Sequence, residues 1–374
     1  MRRGTLKLVM AALLTFSGSL SLAQQRSTLP EDFDQVAAQA EQARGANRIE
    51  EAIVLYRKAL SLNPRWAEGW WYLGTLLYDR DDFAEAAVAL GQAGALSPKV
   101  GTTWVMLGLC EFKLGRYDDA LTHIQQGRQL GTSAEPQFRQ VMLYHEGLLL
   151  LSKGEFERAQ ETLGLLSHEG VENEDLTTAL GLSVLRIRFS DTLGGGDSAV
   201  REVVRRAGWA EHLAAQKKFN QALSEYDRLA TDFPKAQGVQ YAYGRFLIGA
   251  NQDEKAIAAF KREIENTPNH LPARLGIADT KLRLKDAAGG LPYAEEAVKL
   301  NPKVPLGHLL LGLLLLDVGQ TARSITELET AQHSLPNEPK VYFALGRAYA
   351  RAGRKEDAER ARATFARLNK QAEH

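Results

Sequence analysis

Four prolines, Pro234, Pro268, Pro302 and Pro336, follow one another at intervals of 34 residues, and Pro64 and Pro98 stand the same distance apart. Proline has no amide hydrogen to donate and stops the helix it would otherwise join. A fixed proline period therefore cuts the chain into equal blocks that end in the same way. Self-similarity at such a period marks stacked supersecondary units rather than one compact centre. Aligned on the prolines, the block starting at Ala67 places Trp70, Leu73, Gly74, Ala86, Leu90, Ala93 and Pro98 at offsets that the next block fills with Trp104, Leu107, Gly108, Ala120, Ile124, Gly127 and Thr132.

Each block reads as two helices of about four turns joined by a short turn, such as Leu114-Gly115-Arg116 or Ala352-Gly353-Arg354, where glycine takes the left-handed conformation that ends a helix. Small residues facing each other across the pair, Gly108 with Ala120 and Gly74 with Ala86, let the two helices approach closely. Bulky neighbours such as Trp104, Leu107 and Ile124 fill the remaining space.

These positions resemble the tetratricopeptide repeat, whose pattern of a large residue, Leu, Gly, an aromatic, Ala, an aromatic, Ala and Pro runs over 34 residues. Units begin near Phe33, Ala67, Gly101 and Gln140, and again near Val203, Gln237, Leu271, Pro305 and Pro339. The resemblance implies an all-α fold, a right-handed superhelical solenoid of helical hairpins that acts as a binding scaffold. The period fails once: residues 174–190 read as one helix, and Gly194-Gly195-Gly196 follows where a second should start. The expected organisation is an amino-terminal array over 33–190, a glycine-rich hinge over 191–200 and a carboxy-terminal array over 201–374, ending in a polar helix.

The first residues read as an address rather than as part of the fold. Met1, Arg2, Arg3 and Lys7 precede an apolar run from Leu8 to Phe16, and Ser21-Leu22-Ala23 offers small residues before a cleavage point. A signal peptide over 1–23 and a flexible linker over 24–32 are expected, with the mature protein exported to a periplasm or secreted. No later segment is long and apolar enough to span a bilayer, so no stable membrane insertion is expected after cleavage.

The balance of 46 basic and 46 acidic residues supplies no net field for a polyanion, which argues against a nucleic-acid partner. The single cysteine, Cys110, can form no intramolecular disulfide and reads as a packed thiol. His145-Glu146 lacks the second histidine of a zinc-peptidase motif, and the mature chain carries no phosphate loop, nucleophile elbow or dinucleotide fingerprint. No cofactor, metal or catalytic residue is expected.

The resemblance further implies which positions of each first helix face the inner wall. Carried over residue by residue, they place Trp71, Tyr78, Val105, Leu109, Phe112, Tyr144, Leu148 and Leu151 on an apolar surface suited to a protein or peptide partner, with Glu68, Thr75, Asp79, Thr102 and Lys113 among them. The competing reading is that these side chains meet the neighbouring repeat. Two other functions stay open at this level: a helical-solenoid hydrolase or transglycosylase, which needs an acid in a cleft, and a small-ligand sensor.

Overall fold

A computed structural model describes residues 31–132, 135–192 and 197–372. Among the described residues there are 19 α-helices, one 3-10 turn and no strand. The proposed signal peptide and Gly194, Gly195 and Gly196 lie outside the described residues. The chain forms two compact units, Met1–Ser183 with Ile187–Gly195, and Val184–Arg186 with Gly196–His374.

The first unit is a series of hairpins: α1 (Glu31–Gly45) with α2 (Ile49–Leu62), α3 (Ala67–Asp79) with α4 (Phe83–Leu96), α5 (Gly101–Lys113) with α6 (Tyr117–Leu130), and α7 (Pro136–Lys153) with α8 (Phe156–His168). A single helix, α9 (Glu174–Leu185), and the 3-10 turn Phe189–Thr192 follow. The second unit repeats the scheme with α10 (Ser198–Ala215) and α11 (Phe219–Asp232), α12 (Val239–Gly249) and α13 (Asp253–Asn266), and α14 (Leu271–Arg283) and α15 (Ala287–Leu300). It continues with α16 (Pro305–Asp317) and α17 (Thr321–Ser334), then α18 (Pro339–Arg351) and α19 (Lys355–Ala372).

Two first helices start earlier than the repeat offsets suggest, and each has a local cause. In α7 Pro136 occupies the first turn, where its missing amide hydrogen costs nothing. In α10 the carboxylate of Asp197 accepts the amide of Ala199 at 3.1 Å, closing the start of the helix.

The turn inside each hairpin has one construction. The residue two positions before each second helix has positive φ: Asn47, Asp81, Gly115 and Gly154 in the first unit, and Lys217, Asn251, Lys285, Gly319 and Gly353 in the second. The next amide then reaches back five residues to an orphaned helix carbonyl, as Arg116 does to Glu111 and Gln252 to Leu247, both at 2.9 Å. Lys217 and Lys285 hold a conformation that costs a side-chain-bearing residue about 1 kcal/mol, so the turn is imposed by the packing of the helices it joins.

The large residue near the start of several first helices serves as a donor as well as a filler. Trp70 Nε1 donates to the carbonyl of Pro64 at 2.8 Å, Trp104 Nε1 to Pro98 at 3.0 Å, and the Tyr342 hydroxyl to Pro336 at 2.8 Å. His308 reaches Pro302 in the same way at 2.9 Å. Each bond ties the proline that ends one hairpin to the first helix of the next.

Close approach within hairpins is enforced by glycine. A Cβ on Gly108 would lie 2.7 Å from Ile124 Cγ1 and 2.8 Å from the Ala120 carbonyl oxygen, so α5 and α6 touch backbone to side chain. Between hairpins, exposed ion pairs recur, among them Arg80 with Glu50 at 2.6 Å, Arg283 with Asp253 at 2.8 Å and Arg347 with Asp317 at 3.1 Å. Pairs this exposed contribute at most about 1 kcal/mol each, so stacking rests on the buried leucines, alanines and aromatics.

Candidate docking site

The inner positions of α3, α5 and α7 divide into two sets. Trp71, Tyr78, Phe112 and Tyr144 are half-buried. Val105 and Leu151 are fully enclosed, and Leu109 and Leu148 are 3% and 5% exposed. These four aliphatic residues belong to the core and do not line an open wall, a correction to the expectation from the repeat offsets. They pack because stacked first helices leave only their bulkiest or most displaced side chains uncovered. Gly127, whose added Cβ would meet Val105 Cγ2 at 2.6 Å, shows how tightly one of them is held.

Phe112 lies in an aromatic cluster. Its ring meets His145 edge-on at 4.8 Å, Tyr117 at 5.6 Å and Phe189 of the 3-10 turn at 6.2 Å, while Tyr144 stands edge-on to His145 at 5.6 Å. Phe189 therefore covers part of the wall next to Phe112. The His145 ring bonds to the Val141 carbonyl through Nδ1 at 2.8 Å, which fixes the proton on that nitrogen. Burial pushes its pKa down to about 4, against a smaller upward pull from that bond, and Lys113 adds to the depression. Burial also holds the Tyr78 phenol up at about 12 and the Tyr144 phenol well above its ordinary value. At neutral pH this end of the wall is an uncharged aromatic surface, with Lys113 beside it.

At the other end, the start of α3, the end of α4 and the start of α5 line a shallow cleft open to solvent. Trp71 and Tyr72 are its aromatic lining, Val100, Thr102 and Thr103 also border it, and Glu68 lies at the exposed start of α3. Glu68, Trp71 and Thr102 are inner-wall positions by offset. Tyr72, Val100 and Thr103 were not expected there: Tyr72 sits one position beyond Trp71, and the other two come from the approach to α5 and its first turn.

The remaining candidate chemistry is structural. Buried Glu111 pairs with His123 at 2.7 Å, and buried Glu146 accepts from Arg128 at 2.9 Å. Glu263, fully buried, accepts the amides of Gly238 at 2.9 Å and Tyr241 at 3.2 Å, closing the start of α12 with a carboxylate. Cys110 is enclosed, and burial pushes its thiol up to about 12, the opposite of what a nucleophile needs. Among the described residues no three His, Cys, Asp or Glu side chains converge as a metal site, and no helix is long and apolar enough to cross a membrane.

Stacked helical hairpins with a partly open inner wall define an all-α helical-repeat fold. Residues 208–270 and 309–368 match the tetratricopeptide repeat model, and residues 46–127 match the model of the anaphase-promoting complex, cyclosome, subunit 3. Anaphase-promoting complex subunit 3 of Schizosaccharomyces pombe is 26% identical over 141 residues, which cover 36% of this chain and 21% of that protein. BBSome complex member BBS4 of Bos taurus is 21% identical over 317 residues, 83% of this chain and 60% of that protein. The chain thus spans less than two thirds of the length of either curated relative. Similar solved structures include MamA 41-end from Desulfovibrio magneticus RS-1, with 21% identity and a TM-score of 0.40 over 45% of this chain and 94% of that one. Another is YrrB, described as a TPR protein with an unusual peptide-binding site, with 17% identity and a TM-score of 0.41 over 46% of this chain and 90% of that one.

Proposed function

We propose that the chain is a non-catalytic scaffold that holds a protein or peptide partner on the inner wall of its first unit, and that it works after export, in a periplasm or outside the cell. The observation that carries this reading is the set of half-buried aromatic side chains, Trp71, Tyr78, Phe112 and Tyr144, each on a first helix that buries its aliphatic residues and leaves these rings partly open. Aromatic side chains left partly open on a rigid scaffold give contact area at a low entropic cost when a partner covers them. The buried carboxylates, by contrast, are engaged by a histidine ring, an arginine or backbone amides, which supports binding over acid catalysis. The two curated relatives are named as members of multiprotein complexes, and a role within an assembly is the natural use of such a wall.

Site-specific photocrosslinking in the producing cell tests the proposal. A benzoylphenylalanine at Thr75, half-buried on α3, should give a discrete adduct that the same group at Val88, 65% exposed on α4, does not. Adducts at Val88 with none at Thr75 would overturn it. Export is tested separately, by whether the mature chain begins after Ala23 in the soluble extracytoplasmic fraction.

A further inference from the structure

The cleft beside Trp71 has a composition that specifies what enters it. Its walls are aromatic and aliphatic, and Glu68 is the only carboxylate among the residues that line it. Among the described residues Glu68 forms no ion pair. It does act on the neighbouring Tyr72: burial raises the Tyr72 phenol first, and the Glu68 carboxylate, by charge and by a side-chain hydrogen bond, raises it further. The nearest cation to the Tyr72 ring, Arg44, is already engaged, with its guanidinium 3.9 Å from the ring centroid and its Nε donating to the Tyr56 hydroxyl at 3.1 Å. One face of Tyr72 therefore already carries a cation supplied by the chain, while among the described residues Trp71 and Glu68 have none.

We propose that this cleft is a socket for a basic side chain, lysine or arginine, presented by the partner. The aliphatic stem would lie between Trp71 and Val100, and the charge would meet the Glu68 carboxylate over the aromatic faces of Trp71 and Tyr72. Three features converge on this occupant. An aromatic face attracts a cation, most strongly from tryptophan. The Glu68 carboxylate, without an ion pair among the described residues, supplies the opposite charge at the rim, and Val100 supplies apolar surface for the stem. An acidic side chain would be repelled by Glu68, and a purely aliphatic one would fill the cleft while leaving the carboxylate without a cation.

The inference rests on the scaffold reading and names the chemistry of the partner at one position. It is tested on the full mature chain by following the Trp71 indole N–H in nuclear magnetic resonance spectra, assigned by its loss in Trp71→Phe. The probes are Nα-acetyl-arginine amide, Nα-acetyl-lysine amide and Nα-acetyl-norleucine amide. Saturable movement of the Trp71 signal is expected with the two basic probes, with norleucine amide binding at least about fivefold more weakly. Glu68→Gln should reduce arginine-amide affinity by about fivefold and leave norleucine-amide binding unchanged. Equal binding of norleucine and arginine amides, indifference to Glu68→Gln, or no movement of the Trp71 signal would each overturn the socket. The two readings fail separately. Thr75 adducts without a Trp71 response leave the scaffold and remove the socket, whereas a Trp71 response without adducts leaves a cation-binding cleft and removes the scaffold.

Discussion

Gly108 and Gly346 occupy the same register in their hairpins, yet the structure surrounds them differently, and alanine at the two positions should have opposite effects. At Gly108 a Cβ would meet Ile124 Cγ1 at 2.7 Å, the Ala120 carbonyl oxygen at 2.8 Å and the Ile124 amide nitrogen at 3.1 Å. Two of these three atoms are backbone, so relief requires α6 to move away from α5 by about half an ångström, against a seam that buries Ala120 and Ile124 completely. At Gly346 the nearest atoms are Arg362 Cγ at 3.3 Å, the Ala358 carbonyl oxygen at 3.7 Å and Ala361 Cβ at 3.9 Å, and the first belongs to a flexible stem.

Alanine in place of glycine gains about 1 kcal/mol of helix propensity at either site, while overpacking a rigid seam costs about 1 to 3 kcal/mol. Gly108→Ala should therefore destabilise its hairpin by up to about 2 kcal/mol, and Gly346→Ala should stabilise its own by up to about 1 kcal/mol. Because stacked repeats unfold in parts, the informative assay is amide hydrogen exchange resolved by segment. Exchange in α5 and α6 should accelerate by up to about 30-fold in Gly108→Ala, and exchange in α18 and α19 should slow in Gly346→Ala. If both substitutions shift exchange in the same direction, the close approach at this register is not what limits the site.

Other outcomes follow from single features. Glu263→Ala leaves the amides of Gly238 and Tyr241 buried without their acceptor and should cost about 2 to 4 kcal/mol, read as faster exchange at the start of α12; Glu263→Gln, which keeps one acceptor oxygen, should cost less. His145 and His270 are both held near a pKa of about 4 by burial, below the ordinary 6.5. The unfolded chain thus binds more protons between these values, and stability should fall as pH drops from about 6.5 towards 4, by as much as about 1.4 kcal/mol per pH unit for each histidine. Equal urea midpoints at pH 7 and pH 5 would contradict this. Cys110, enclosed and with its thiol raised to about 12, should resist iodoacetamide in the folded protein and react at the rate of a free thiol in denaturant. Trp104→Phe removes the donor to the Pro98 carbonyl and should cost about 1 kcal/mol in the melting of the hairpin built from α5 and α6.

The hairpins were legible in the sequence because proline, glycine and alanine at a constant interval report backbone events, namely where a helix stops and where two helices touch. Gly108 and Ala120 were paired correctly on size alone. The inner wall was less legible. An offset states which side of a helix a residue occupies but not how far the adjacent helix reaches across it, so Val105, Leu109, Leu148 and Leu151 read as wall and are core. Trp104 read as bulk, although its indole N–H is what reaches the preceding proline; its recurrence with tryptophan, histidine and tyrosine at Trp70, His308 and Tyr342, all able to donate, was the missed signal. Phe189 gave no periodic signal, since it lies in the 3-10 turn after α9, outside any hairpin. Tyr72 and Thr103 come together only because the end of α4 brings α3 and α5 to one point.

The left-handed residue inside each hairpin has a consequence for how such a chain can change its length. In the second unit Lys217, Asn251, Lys285, Gly319 and Gly353 occupy one register, each 34 positions after the last. Loss or duplication of one whole period carries every turn onto an equivalent turn, and each helix still meets a partner of the kind it had before. A lesion one residue longer or shorter moves a neighbour such as Leu284 or Val318 into the register where the backbone needs a residue that tolerates positive φ, and it rotates the apolar stripe of every following helix up to the next loop. Genetic variation in the number of storeys is thus far cheaper than variation in the height of any one.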